Sequence, residues 1–183
     1  MTIAPSQKQA DMTGFVGQVL QAVGDAVMDV EQCTDRRGIA RIDPARTVEI
    51  ACTMLAMDGA RLATATGVDV RDGVDILYHW AIEPQGVVVT LKALAARPDV
   101  AIDSIANDVP AGNWIEREMH DLLGVEFRGH PDMRRLVLDD SWPEDVHPLL
   151  KSFDQIEDRP PPPPNQSPPE IPPQQAAPRR TDS

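Results

Sequence analysis

Apolar residues recur at two spacings along the first part of the chain, and the spacing predicts where helices and strands lie. Residues 12–24 carry a helical stripe that ends at Gly24, made by Phe15, Val19, Leu20 and Val23. Residues 26–34 alternate apolar and polar positions, as a half-buried strand does. Residues 36–42 predict a turn that leads into a short strand.

A second helix is predicted to begin at Asp43-Pro44, because an acidic N-cap followed by proline is a favoured helix start. It runs to about Met57 and is stopped by Gly59. The apolar positions that we expect on one face of this helix are Val48, Cys52, Leu55 and Ala56.

Three strand-like runs follow at residues 61–70, 74–83 and 87–96. An Asp-Gly turn joins the first two runs, and Pro84-Gln85-Gly86 joins the second to the third. The predicted order is therefore helix, strand, strand, helix and a three-stranded meander. We expect an α+β fold, a mainly antiparallel sheet with helices packed on one face.

Composition divides the chain of 183 residues into three parts. Ten of its 18 prolines lie in residues 154–183, which contain almost no large apolar side chains, so we expect a disordered proline-rich tail. Residues 1–11 are expected to be a flexible N-terminus, which leaves residues 12–153 as one domain with a loop-rich C-terminal extension.

The net charge of −12 disfavours nucleic-acid binding, because an acidic surface repels phosphates. The sequence shows no signal peptide and no apolar run long enough to span a membrane, so we expect a cytoplasmic protein. The two cysteines, Cys33 and Cys52, are expected to be reduced, small buried side chains.

Charged residues concentrate in residues 114–140, WIEREMHDLLGVEFRGHPDMRRLVLDD. Its first ten residues predict an amphipathic helix with an apolar stripe of Ile115, Met119, Leu122 and Leu123. Asn113 and Glu116 have the spacing of an N-cap and its capping-box partner. Arg117 and Asp121 have the spacing of an ion pair. A rigid loop with Gly129, Pro131 and Asp132 then leads to Arg134 and Arg135.

Three kinds of chemistry come into question for this segment. Glu116 and Glu118 would make a carboxylate pair, but side chains two apart on a helix diverge, and Glu116 is expected to cap. The histidines His120, His130 and His147 fit no compact zinc spacing. A serine or cysteine nucleophile lacks a supporting motif. Arginines and aromatic residues in rigid loops are instead typical of protein interfaces, or of an internal salt-bridge network.

The same segment resembles the 30 kDa-subunit family of respiratory complex I, which is the C subunit of bacterial NADH:quinone oxidoreductase. A related module occurs in membrane-bound energy-converting nickel–iron hydrogenases. The resemblance covers about residues 70–153 and includes the upstream runs DILYHW and DSIANDVPAGNW. The matching positions are Trp114, Glu116, Arg117, Glu118, Asp121, Gly124, Val125, Phe127, Gly129, His130, Pro131, Asp132, Arg134, Arg135, Trp142, His147, Pro148, Leu149, Lys151 and Phe153.

The resemblance implies a non-catalytic scaffold subunit with no metal or cofactor of its own, at the cytoplasmic side of the cell membrane. Its expected partners are a hydrogenase-like large subunit and a small iron–sulfur subunit. These partner chains would carry iron–sulfur clusters with quinone and FMN, or a nickel–iron site. The residues we predict at the partner interface are Glu116, Arg117, Glu118, Asp121, His130, Asp132, Arg134, Arg135, His147 and Lys151.

Three positions depart from the family pattern. Val146, Leu150 and Ser152 stand where the family usually has glycine, arginine and aspartate. Loss of two charges in the closing motif leaves two versions open, complex I and an energy-converting hydrogenase. Two other hypotheses are a stand-alone acid–base enzyme that uses Glu116, Asp121 and His130, and an adaptor whose tail binds SH3- or WW-like domains.

Overall fold

The computed structural model describes residues 14–153. Its regular elements follow the predicted order and continue with two short strands that flank the last helix. They are α1 (Phe15–Val23), β1 (Val27–Cys33), β2 (Arg37–Ile42), α2 (Thr47–Leu55), β3 (Ala60–Val70), β4 (Gly73–Ile82), β5 (Val87–Ala96), β6 (Ala101–Asp103), α3 (Gly112–Leu123) and β7 (Glu126–Arg128). The predicted flexible N-terminus and proline-rich tail lie outside the described residues.

Five strands form the main sheet in the order β1-β2-β5-β4-β3. The neighbours β1–β2, β5–β4 and β4–β3 run antiparallel, and β2–β5 runs parallel. The long β3–β4 hairpin closes with Val70 opposite Gly73, which leaves Arg71 and Asp72 as the turn. The parallel pair joins the N-terminal strands to the meander, so residues far apart in sequence share one sheet.

The helices pack on one face of the sheet. Val16 of α1 contacts Gly38 so closely that a β-carbon there would overlap it, and Gly67 likewise admits Leu123 of α3. Gly67 and Ile76 are cross-strand neighbours on this face, and Trp80 and Ile76 are buried beneath the helices. Burying such side chains is the main stabilising contribution to the fold. The predicted α+β architecture, with a mainly antiparallel sheet, is confirmed.

The second helix differs from its prediction. Asp43 accepts a hydrogen bond from the Ala45 N–H at 2.9 Å, but it caps a single 3₁₀ turn that precedes α2. The helix buries Thr47, Ile50, Ala51 and Met54, and not the face that was predicted. Cys52 is exposed and Cys33 is partly exposed, so the expectation that both cysteines are buried is wrong.

Strands β6 and β7 form a separate two-stranded parallel sheet beside α3. Ile102 and Phe127, which pair across it, are buried and extend the core. These three-residue strands were not predicted from the sequence. Within residues 14–153, no helix combines the length and the apolarity that crossing a bilayer requires.

Candidate partner-docking site

Helix α3 begins two residues earlier than its sequence suggested, at Gly112 and not at Trp114. Gly112 is its first residue, Ala111 is the N-cap, and no side chain caps it. The predicted capping box of Asn113 and Glu116 is therefore wrong. Glu116 is fully buried, and its carboxylate turns toward the segment that precedes the helix.

The Glu116 carboxyl group binds that pre-helix segment. Ser104 Oγ donates to Oε2 at 2.5 Å, and the Ile105 N–H donates to Oε1 at 3.0 Å. Burial raises the pKa of Glu116 to about 7, although these two hydrogen bonds partly oppose the rise. Burial, reinforced by the nearby Glu116 carboxylate, also raises the pKa of Tyr78. Among residues 14–153, Tyr78 Oη is the buried side-chain polar atom without a hydrogen-bond partner.

The imidazole of His130, one of the predicted interface residues, lies inside the domain. Its side chain has 0% exposure, and Nε2 lies 3.9 Å from Glu116 Oε2. Nε2 donates to the Asn113 carbonyl at 3.1 Å, and Nδ1 accepts the Asp132 N–H at 3.0 Å. A carbonyl can only accept, so these two bonds define a neutral imidazole with its proton on Nε2.

Arg117 connects α3 to the loop that carries Arg134 and Arg135, which we call the arginine loop. Its Nε donates to the Arg134 carbonyl at 2.7 Å, and its Nη2 donates to the Arg135 carbonyl at 2.9 Å. Arg117 is only 9% exposed. Arg117 does not form the predicted ion pair with Asp121, because both side chains bind loop backbone instead.

Asp121 accepts three backbone N–H groups on one oxygen. The donors are Leu136, Val137 and Leu138, at 2.8 to 3.2 Å. Burial alone would raise the pKa of the Asp121 carboxyl, but these three donors hold it below its ordinary value. The carboxylate thus determines the path of a segment that has no regular secondary structure.

The C-terminal extension is fixed by the same helix. Gly124 ends α3 in the left-handed conformation, and the His147 imidazole occupies the space that a β-carbon at Gly124 would need. His147 Nδ1 donates to the Asp121 carbonyl at 2.9 Å. Further on, the Lys151 N–H donates to Asp69 Oδ2 at 2.8 Å, which ties the extension to β3.

The outward surface of this region combines arginine with apolar side chains. Arg134 is 84% exposed and makes a two-point ion pair with Asp132, which lowers the pKa of that carboxyl through the Arg134 hydrogen bonds. Arg134 and Arg135 line an open groove of about 560 Å³ together with Arg117, Asp140 and Glu144. Trp114 is 68% exposed and Val137 51% exposed.

The ten predicted interface residues thus fall into two groups. The side chains buried within the domain are those of Glu116, Arg117, Asp121 and His130. The side chains at least partly accessible are those of Glu118, Asp132, Arg134, Arg135, His147 and Lys151. Contact of any of the ten with a partner stays a prediction.

Sequence reasoning missed three residues of the site. Ser104 and Asp69 form hydrogen bonds with partners 12 and 82 residues away, and the pKa of Tyr78 responds to the charge of Glu116. The signal in the sequence for Ser104 was its position between the apolar residues Ile102 and Ile105, upstream of the predicted helix. Within residues 14–153, no three His, Cys, Asp or Glu side chains are grouped so that they could share a metal ion.

Comparison with known proteins identifies relatives of this arrangement. The sequence model of the family "Respiratory-chain NADH dehydrogenase, 30 Kd subunit" matches residues 40–159. The C subunit of NADH-quinone oxidoreductase from Xanthobacter autotrophicus is 38% identical over 120 residues, which are 62% of this chain and 56% of the relative. The C/D subunit of the same enzyme from Methylococcus capsulatus is 38% identical over 86 residues, 44% of this chain and 14% of that protein. Hydrogenase-4 component G of Escherichia coli is 45% identical over 76 residues, 40% of this chain and 14% of that protein.

Two solved structures share the fold. A chain of the membrane-bound sulfane sulfur reductase, an archaeal respiratory membrane complex, superposes with a TM-score of 0.68 at 21% identity, covering 78% of this chain and 85% of that chain. The trypsin-resistant fragment 1–134 of Nqo5 gives 0.54 at 21% identity, covering 63% and 96%. The chain spans about half the length of the Xanthobacter autotrophicus relative. The family match includes both helix α3 and the loops that it holds, and the chain belongs to the respiratory-chain NADH dehydrogenase 30 Kd subunit family.

Proposed function

We propose that this chain is a non-catalytic docking subunit of a membrane-associated redox complex of the NADH:quinone oxidoreductase type. Its partner is the hydrogenase-like large subunit, with a small iron–sulfur subunit in the same assembly. The observation that carries the proposal is the use of buried charged side chains to hold an outward arginine loop in one shape. A preformed loop loses little conformational entropy when a partner binds it.

The exposed side of the loop suits a protein partner. We define the docking surface as Trp114, Glu118, Arg134, Arg135, Leu136 and Val137, all at least partly exposed. Tryptophan and arginine are enriched among residues that dominate binding energy, and arginine pairs with carboxylates through two parallel hydrogen bonds. Buried Glu116, Arg117, Asp121 and His130 act indirectly, because they fix the backbone that carries these side chains.

The relatives support a large-subunit partner. The protein of Methylococcus capsulatus is named as a combined C/D subunit, and its matched segment is 14% of its length. Joining both parts in one chain keeps them in the same assembly. The same association is proposed here for two separate chains.

We assign no cofactor to this chain. In the proposed complex, the partner chains would carry iron–sulfur clusters with quinone and FMN. The chain would then lie on the cytoplasmic side of the cell membrane and contact the membrane only through the complex.

A second candidate function is the equivalent subunit of an energy-converting, membrane-bound nickel–iron hydrogenase. The observation that favours it is the 45% identity to hydrogenase-4 component G, although over only 76 residues. In that case the large subunit would hold a nickel–iron site in place of a quinone site. Nickel and flavin analysis of the complex purified through this chain distinguishes the two.

The test of the docking role is the double variant Arg134→Ala with Arg135→Ala in the full chain, co-expressed with the large subunit of the proposed complex. Truncating an arginine at a desolvated interface costs about 2–4 kcal/mol. We expect the variant to fold, to co-purify poorly with the large subunit, and to lower the activity of the complex.

The matched control is Arg36→Ala with Arg37→Ala, an adjacent exposed pair at the β1–β2 turn. It should co-purify like the wild type. Normal assembly of the Arg134/Arg135 variant would move the docking surface elsewhere, and unfolding of that variant would make the two arginines internal stabilisers.

A further inference from the structure

Strand β3 has one edge without a partner in the described part of the chain. Beyond the β4–β5 ladder, the Arg97 N–H donates to the Asp72 carbonyl. This bond means that Gly73 and Ala96, which lie opposite each other, are not hydrogen-bonded to one another. The backbone N–H and C=O groups of Gly73, and of every second residue after it in β4, therefore bond to β3. On β3 the corresponding residues are Val70, Val68, Thr66 and Thr64.

The backbone groups of the alternate residues Ala65, Gly67 and Asp69 therefore point away from the sheet. No backbone partner for them is found among residues 14–153. Within the described part of the chain, the one hydrogen bond to these groups is from Thr64 Oγ1 to the Ala65 carbonyl, at 3.4 Å. These outward N–H and C=O groups form a template for one more strand.

The two edges of the sheet differ in protection. Strand β1 has two register shifts within seven residues, and it carries Asp29 and Glu31. Such bulges and charges discourage pairing with another chain. In β3 the register runs unbroken from Thr64 to Val70, with Thr64, Thr66 and Val68 exposed on the open face. The only charged side chain in that stretch, Asp69, is bound by Arg97 and by the Lys151 N–H.

The free edge adjoins the C-terminal extension. Because the Lys151 N–H binds Asp69, residues near 151 lie at the end of the β3 edge. A partner that covers the extension near Lys151 would therefore lie next to the end of β3. The chain's own tail is a poor occupant, since from Pro160 onward ten prolines lack the N–H that a strand must donate.

We propose that the β3 edge at residues 64–70 binds an extended segment of the large partner subunit, which adds a sixth strand to the sheet. This inference rests on the proposed function, because it names a second contact with the same partner. Backbone hydrogen bonds supply the recognition, so the segment must be extended and free of proline at the paired positions. At about 3.3 Å per residue, the seven positions offer roughly 20 Å of edge.

The test uses the full chain co-expressed with the large subunit, as wild type, Ala65→Pro and Ala65→Ser. Proline removes only the outward N–H at this edge position, a place where strands tolerate it. Serine keeps the N–H and serves as the matched control. We expect Ala65→Pro to weaken co-purification by roughly tenfold or more, since a backbone hydrogen bond is lost and the ring obstructs pairing. Ala65→Ser should bind like the wild type.

Hydrogen exchange gives a readout that does not depend on folding of the proline variant. In the wild-type complex, the amides of Ala65, Gly67 and Asp69 should exchange at least tenfold more slowly than in the free chain. The neighbouring amides of Thr64 and Thr66 are already bonded to β4 and should change little.

Unchanged exchange at the three outward amides, or equal binding by a folded Ala65→Pro chain, overturns the inference while leaving the docking function intact. Protection already present in the free chain also overturns it. If that protection depends on concentration the occupant is a second copy, and if deletion of residues 160–183 removes it the occupant is the tail. Failure of the wild type to bind the large subunit contradicts the proposed function itself, and this inference falls with it.

Discussion

The sheet with α1 and α2 and the segment from α3 to Phe153 are stabilised in different ways. The first region buries aliphatic and aromatic side chains such as Ile76, Trp80 and Leu91. The second region buries charged side chains, Glu116, Arg117 and Asp121, each of which binds backbone of another segment. Apolar packing therefore specifies the sheet, and side-chain-to-backbone hydrogen bonds specify the loops.

The difference follows from what loops require. Residues 129–153 have no helix or strand to satisfy their backbone groups, and a buried N–H or C=O without a partner is costly. Helix α3 provides those partners on its loop-facing side, while Met119 and Leu123 pack against the sheet on its other side. Hydrogen bonds of this kind restrict the conformations that the loop backbone can adopt.

Removing apolar packing should have the largest effect. Trp80→Ala leaves a cavity under the helices and should lower the free energy of unfolding by about 3–5 kcal/mol. The control is Val88→Ala, because Val88 lies on the open face of the neighbouring strand and is 36% exposed. It should cost less than about 1 kcal/mol. Urea denaturation compares the two, and similar losses would show that the helix-covered face is not the main core.

The strands and helices of the sheet region were predictable to within a few residues, because their side chains alternate or recur by local rules. The parallel pairing of β2 with β5 was not, since it joins residues about 50 positions apart. The buried face of α2 was missed because that helix has apolar residues on more than one side. Val48 and Cys52 fit helical spacing as well as Ile50 and Met54 do.

The segment that forms the candidate site was singled out from the sequence, but its internal geometry was not predicted. The motif residues are brought together around α3, yet Glu116 was assigned to a local cap and Arg117 to a local ion pair. Their actual partners are Ser104 and Ile105 for Glu116, and the Arg134 and Arg135 carbonyls for Arg117. Local spacing cannot rank these distant backbone partners above a neighbour on the same helix.

The pH dependence of the free energy of unfolding should reveal the buried charges of the second region. The expected change is smaller than the loss in Trp80→Ala. The pKa of Glu116 is raised to about 7 by burial, so the folded chain keeps a proton that the unfolded chain releases above about pH 4.5. The stabilising contribution is full below that pH and is lost as the pH rises through about 7. We expect this group to cost the wild type about 2–3 kcal/mol between pH 5 and pH 8.

Glu116→Gln should abolish that loss, and Glu118→Gln, an exposed change on the same helix, should keep it. Asp121 gives the opposite sign, because its lowered pKa makes its contribution disappear only as the pH falls below about 4. Urea denaturation at several pH values measures both the loss of stability at high pH from Glu116 and the loss at low pH from Asp121. An equal loss between pH 5 and pH 8 in Glu116→Gln and the wild type would contradict the assignment to Glu116.

The smallest expected difference in stability is between alanine variants of two arginines. Arg117 faces the interior of the domain, and Arg134 faces outward. Arg117 is buried and binds two loop carbonyls, so Arg117→Ala leaves acceptors unsatisfied and should cost about 2 kcal/mol of stability. Arg134 is 84% exposed and pairs only with Asp132 on its own loop, so Arg134→Ala should change stability by less than about 0.5 kcal/mol.

Both variants should weaken binding to the large subunit, although only Arg117→Ala should lower stability appreciably. Arg117→Ala should weaken large-subunit binding by freeing the loop, and Arg134→Ala should weaken it by removing a contact while leaving the loop ordered. Hydrogen exchange at Leu136, Val137 and Leu138 reports loop order, and it should accelerate only in Arg117→Ala. Equal acceleration in both variants would mean that the outward arginine also holds the loop. It would then be wrong to assign loop stabilisation to Arg117 alone and partner contact to Arg134 alone.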